Sequence, residues 1–191
     1  MRWLATAIGV CVWAAAATAT ADTTCKESAR FVAEGSASLA PVAECGSYIL
    51  ATEAAQSPWS WGSAIYRGPL PASYELSLRY TRLTADRRPV EFHLPGGVVL
   101  ISSRAFGFYE SEAQFARDSW TKIPSHTNLR EHTVRIVHKQ RHAHVWLDGK
   151  LLGDKEFRDR GASRVLRIGL KGYQGVRARV LLRDVRVRPA Q

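Results

Sequence analysis

HTVRIVHKQRHAHVWLDGKLLG, residues 132–153, decides the fold. His132 to Lys139 reads as a strand, Gln140-Arg141 as a turn, and His142 to Leu147 as the returning strand. Asp148-Gly149 is a strong hairpin-turn signal. With an even first turn, Ile136 faces Val145 and Val134 faces Leu147, so all four share the core face. The opposite face then pairs Arg135 with Trp146, Val137 with His144, and Lys139 with His142, while His138 points to the core side.

The same alternation extends in both directions. Tyr48-Ile49-Leu50 and Ser63 to Tyr66 read as strands, the second ended by Gly68-Pro69. Tyr74, Leu76, Leu78 and Tyr80 alternate with Glu75, Ser77 and Arg79. Val90, Phe92 and Leu94 alternate with Glu91 and His93, and Val98 to Ile101 follows a Pro95-Gly96-Gly97 turn. Two late strands, Val165 to Leu170 and Val176 to Val187, close the chain, the last with a bulge expected near Leu181-Leu182. Ser111 to Ser119 is the one segment that suits a short helix. Many short strands with regular turns predict an all-β fold, an antiparallel two-sheet β-sandwich of jelly-roll type.

The N-terminus reads as an export signal. Arg2 is followed by an apolar run from Trp3 to Ala17, too short to span a bilayer, and then by Ala19-Thr20-Ala21. The expected organisation is a signal peptide at 1–21, a disulfide-tied segment at 22–47 and the sandwich at 48–191. The expected location is secreted or periplasmic. Cys25 and Cys45 remain after cleavage, an even number in an exported chain, and predict one disulfide. Without Arg2, 26 basic side chains face 17 acidic ones. Arginine-rich, asparagine-poor composition accounts for much of this bias, and attraction to a polyanion is its functional reading. No nucleic-acid-binding module is recognisable, and no apolar run after the signal suits a membrane span.

Two stretches carry a resemblance. The hairpin at 132–153, with RIGLKGYQGVRARVLLRDVRV at 167–187, resembles the concanavalin A-like lectin/glucanase superfamily, including its keto-disaccharide hydrolase-like domains. The resemblance implies a jelly roll and a carbohydrate-facing role as glycosidase, lyase, lectin or adhesive module. The glucanase pattern of alternating Glu, Asp and Glu is incomplete: Tyr109-Glu110-Ser111-Glu112 lacks the central Asp and the third acid. Lys171-Gly172-Tyr173-Gln174 matches the late strand of alginate lyases only in part, and their Gln-Ile-His strand is missing. With Asn128 as the single asparagine and no acidic loop cluster, a calcium site is not expected.

The candidate residues follow from face-sharing. Trp146, Arg135, His144 and His142 offer aromatic, cationic and imidazole groups on one face, as binding of a sugar with an acidic substituent requires. A cation–π pair that merely covers the indole is the plainer reading, worth about 0.5–1 kcal/mol when exposed. Glu91, His93 and Tyr109 are the second-choice binding set. Trp59 and Trp61 form either a further patch or loop anchors. Glu110 and Glu112 would share a face on a strand and are the weak candidates for a catalytic carboxylate pair. The i, i+2 spacing of His142 and His144 suits zinc, but the third and fourth ligands are missing, so neither metal nor cofactor is expected. The resulting expectation is an exported carbohydrate-binding or cell-envelope interaction module, with acidic glycans as a candidate ligand. A jelly-roll glycoside hydrolase or lyase with unidentified acids is the alternative.

Overall fold

Strand-forming alternation runs through almost every segment of the computed structural model, which describes residues 30–44, 46–52, 59–84, 89–110, 121–122, 130–157, 165–173 and 175–191. The signal segment, Cys25, Cys45, Glu112 and the helix expected at 111–119 lie outside these residues. Fourteen strands form among the described residues. They are β1 (Phe31–Gly35), β2 (Ala37–Pro41), β3 (Tyr48–Thr52), β4 (Trp59–Tyr66) and β5 (Ser73–Arg82). Then come β6 (Val90–Leu94), β7 (Gly97–Ile101), β8 (Ala105–Tyr109), β9 (Thr121–Lys122) and β10 (His132–Lys139). The series ends with β11 (His142–Leu147), β12 (Lys150–Glu156), β13 (Arg167–Tyr173) and β14 (Arg179–Pro189).

Two seven-stranded antiparallel sheets stack to make a jelly-roll sandwich. The first runs β1-β4-β13-β6-β7-β8-β9 and the second β12-β11-β10-β5-β14-β3-β2. Their inner faces meet in one apolar core. β5 contributes Tyr74, Leu76, Leu78 and Tyr80, β6 contributes Val90, Phe92 and Leu94, and β10 and β11 contribute Val134, Ile136, Val145 and Leu147. The deciding hairpin pairs as its pattern dictates, with Val134 opposite Leu147, Arg135 opposite Trp146 and Ile136 opposite Val145. Asp148 and Gly149 both take positive φ, 52° and 79°, as a tight two-residue turn requires. Asp148 also locks the turn. Its carboxylate accepts from His132 Nδ1 at 2.8 Å and from the Thr133 amide at 2.9 Å. Burial pushes this carboxyl up, and the two bonds outweigh that and hold it below its ordinary value.

Three expectations change. Two strands, β1 and β2, form within the segment assigned to 22–47; β1 edges the first sheet and β2 the second. The register shift in β14 falls between Arg183 and Arg186, where Asp184 has φ 51°, two residues later than expected. Leu182 keeps the core phase, and the bulge is taken up at Asp184, whose carboxylate is tied to Arg79 by a 2.6 Å ion pair. Trp61 sits within β4 rather than in a loop.

Candidate functional site

The outer face of the first sheet carries a row of polar residues set by strand register. Glu34 (β1) lies opposite Ser63 (β4), Ser63 opposite Gly169 (β13), and Gly169 opposite Glu91 (β6). Glu91 is on this face because Val90, Phe92 and Leu94 take the core phase. Its side chain is nonetheless only 1% exposed. His93, two residues on, places Nε2 3.0 Å from Glu91 Oε2, and Lys171 Nζ lies 3.2 Å from Oε1. Burial would raise the Glu91 pKa, but the bond from His93 and the charge of Lys171 more than offset this and hold the carboxyl below its ordinary value. An ionised carboxylate only accepts, so His93 Nε2–H donates to it. Trp61 meets His93 edge to face, with ring centroids 5.5 Å apart.

Gly169 makes this convergence possible. A Cβ there would lie 3.3 Å from His93 Nε2, 3.4 Å from Trp61 Nε1 and 3.6 Å from Glu91 Cβ. The absent side chain leaves room for an imidazole and an indole to lean over the strand. Beside them Glu34 accepts from Arg167 Nε at 2.7 Å and from Ser63 Oγ at 3.2 Å, and the Arg167 guanidinium holds its carboxyl below the ordinary value. On the other side Val98, Leu100 and Tyr109 form a small apolar cluster of their own. Glu91 and His93 face Leu100 and Val98 across β7, and Val98 faces Tyr109 across β8. The three second-choice residues therefore share one face, with Tyr109 two strands from His93.

The outer face of the second sheet is different. Trp146 and His144 are half-buried and Arg135 is exposed. The Arg135 guanidinium lies 4.6 Å from the Trp146 ring centre, and its Nε and Nη2 each contact Glu75 Oε2 at 2.9 Å. The imidazoles of His142 and His144 stack at 6.5 Å, and His144 lies 6.1 Å from Trp146. Beside this ladder a depression of about 540 Å3 opens, lined in part by Arg135, His144 and Trp146. Among the described residues no group of three or more His, Cys, Asp or Glu is arranged to hold a metal ion. Glu110 directly follows Tyr109, the last residue of β8. His132 and His138 are framework. His138 stacks on Tyr74 and donates to the Pro95 carbonyl at 3.1 Å, and burial pushes its pKa down.

No family model matches the chain, and no curated protein matches it in sequence. Solved structures do. A sialidase superposes with a TM-score of 0.57 at 13% identity, over 82% of this chain and 17% of its own. The carbohydrate recognition domain of Emp47p gives 0.54 at 13% identity, over 85% of this chain and 89% of its own. Alginate lyase AlgAT5, of polysaccharide lyase family 7, gives 0.52 at 9% identity, over 80% and 82%. At such identities the likeness covers the two-sheet jelly-roll architecture and no more, and the chain spans about a sixth of the sialidase.

Sequence reasoning missed Lys171 as a partner of Glu91, and Glu34 with Arg167. A signal was present: Arg167, Gly169 and Lys171 alternate with Ile168 and Leu170, so they had to leave the core face together. What the alternation lacked was the neighbour, because β4 and β6 flank β13 from far away in sequence.

Proposed function

We propose that this chain is an exported carbohydrate-binding domain whose sugar site is the outer face of the first sheet, around Trp61, His93 and Lys171. The carrying observation is Glu91, a carboxylate kept charged although buried, beneath three side chains that remain reachable from solvent. Burying such a charge is costly unless it is paired, and paired charges of this kind concentrate at functional sites. A sugar needs a flat apolar surface and closely spaced hydrogen-bonding groups; Trp61 supplies the first, and His93 and Lys171 the second. The carbohydrate recognition domain and the lyase among the structural neighbours make this fold a plausible carrier. The excess of Lys and Arg favours glycans with acidic substituents.

A glycan panel tests the reading. Immobilised neutral and acidic polysaccharides should retain the wild-type protein. Trp61→Ala and Lys171→Ala should each weaken retention on the order of tenfold or more, as loss of a central contact does, with circular dichroism unchanged. A wild-type protein that binds no member of the panel, or variants that bind as well as it does, would overturn the assignment.

One observation favours the second reading, a hydrolase or lyase. Glu91 accepts from His93 Nε2, which orients the ring and leaves Nδ1 as the nitrogen that would act as a general base when the ring is neutral. Release of new reducing or unsaturated ends from the same panel, abolished in His93→Ala, would establish turnover; binding without release supports the binding domain. Export rests on residues 1–21. Intact mass of the secreted protein should show Asp22 as the first residue and a Cys25–Cys45 bridge with no alkylatable thiol.

A further inference from the structure

The depression on the second sheet lies on the side of the sandwich away from Glu91, and its residues come from four adjacent strands and from Ala190 and Gln191, which follow β14. Register lines up His144 (β11), Val137 (β10), Glu75 (β5) and Arg188 (β14) in one row. The row beside it begins with Trp146 opposite Arg135, and the row on the other side has Lys139 opposite Ser73. Val137 belongs to the outer face by phase, yet it is only 7% exposed. It is the floor, and the side chains around it stand up as walls. Three of those walls are cations, Arg135, Lys139 and Arg188, against the single carboxylate of Glu75 among the lining side chains.

We propose that this depression is a second sugar-binding site, one that takes an acidic sugar unit, a uronate or a sulfated residue. Its volume of about 540 Å3 fits one or two pyranose rings, within the range on the order of 300–1,000 Å3 typical of small-ligand sites. The platform is composite. Glu75 pins the Arg135 guanidinium through two contacts, and the pinned plane covers one part of Trp146. Half-buried Trp146 and His144 leave a flat aromatic wall beside it. Glu75 already occupies Arg135, and Lys139 makes a close contact with the main-chain oxygen of Gln191, so the acidic group of the ligand is met first by Arg188, exposed at the opposite rim. A neutral sugar would gain the platform and leave Arg188 unanswered.

This site stands independently of the one on the first sheet, and the experiment separates them. Titration calorimetry uses three probes at low salt: hexagalacturonate, a heparin hexasaccharide and neutral cellohexaose. The background is a Trp61→Ala/Lys171→Ala protein, which disables the first face. The acidic hexamers should still bind this background, and adding Trp146→Ala with Arg188→Glu should weaken them by tenfold or more, as expected for loss of a central aromatic and a charge reversal. Binding of hexagalacturonate alone assigns a uronate, and binding of both acidic probes assigns the anion in general. If Trp146→Ala disturbs the circular dichroism, Lys139→Glu/Arg188→Glu, altered only at exposed side chains, must give the same loss. The proposal fails if the acidic hexamers no longer bind the background protein, if the second-face variants bind as tightly as the background, or if cellohexaose binds equally well. Loss on the first-face variants alone sinks this site and leaves the first; loss on the second-face variants alone does the reverse.

Discussion

The two outer faces hold similar residue types in opposite states. On the first sheet a glutamate, a histidine, a lysine and a tryptophan are drawn together, with the carboxylate buried beneath the others. On the second sheet a glutamate, an arginine, a histidine and a tryptophan stand in a ladder whose Arg135–Glu75 pair is 48% and 29% exposed. Glycine at 169 permits the first arrangement by removing one side chain from the row. No glycine interrupts the second row, so its side chains stand upright and wall a depression. The same chemistry is thus cheap to alter on one face and expensive on the other.

The largest expected effect is on stability at Glu91. Glu91→Ala leaves Lys171 and His93 facing a buried gap and should cost about 2–4 kcal/mol in urea unfolding, while Glu75→Ala, which breaks an exposed pair, should cost less than about 1 kcal/mol. Equal costs would erase the contrast between the faces.

Acid sharpens it. The folded pKa of Glu91 is held below its ordinary value of 4.5, so its stabilising contribution is complete above that value and is lost as pH falls through the lower folded pKa. Asp148 and Glu34, also held low, add to the same limb. Urea midpoints should therefore drop between about pH 5 and about pH 3, and Glu91→Gln should flatten that drop where Glu75→Gln does not. An identical acid limb in Glu91→Gln would mean that the buried carboxylate is not the titrating group.

The smallest effect belongs to Trp146. Its ring lies outside the core, so Trp146→Ala should change unfolding stability by about 1 kcal/mol or less, the scale of an exposed cation–π pair. A cooperative loss of structure in this variant would place the indole in the framework of the second sheet instead.

The sequence made the local part of this structure readable. Residues 134–147 carry their own partner, thirteen residues away or fewer across the turn, so phase fixed both register and face, down to Arg135 opposite Trp146. Glu91 and His93 could be placed on an outer face by the same phase. Their burial could not be foreseen, because it depends on Trp61 and Lys171, which arrive from strands whose place in the sheet order no short-range pattern encodes. β1 and β2 were missed for a related reason. FVAEG and ASLAP are short edge strands with little alternation, and each is held by pairing to a single neighbour, β4 for the first and β3 for the second. The bulge at Asp184 was displaced because two consecutive leucines mark a change of phase less sharply than an aspartate in left-handed backbone does.

One feature of the sheet order bears on how the chain reaches its structure in time. β14 lies inside the second sheet, between β5 and β3, pairing Val187 with Leu76 and Val180 with Leu50. The sheet therefore cannot close until residues 179–189 are available, and closing it means looping out more than a hundred intervening residues. Pairings this distant carry a large entropic cost before any contact repays it, and they place folding of such sandwiches on the order of milliseconds to seconds. A chain that must wait for one of its last strands leaves the edges of β5 and β3 unpaired until residues 179–189 arrive, and unpaired strand edges are where such intermediates aggregate.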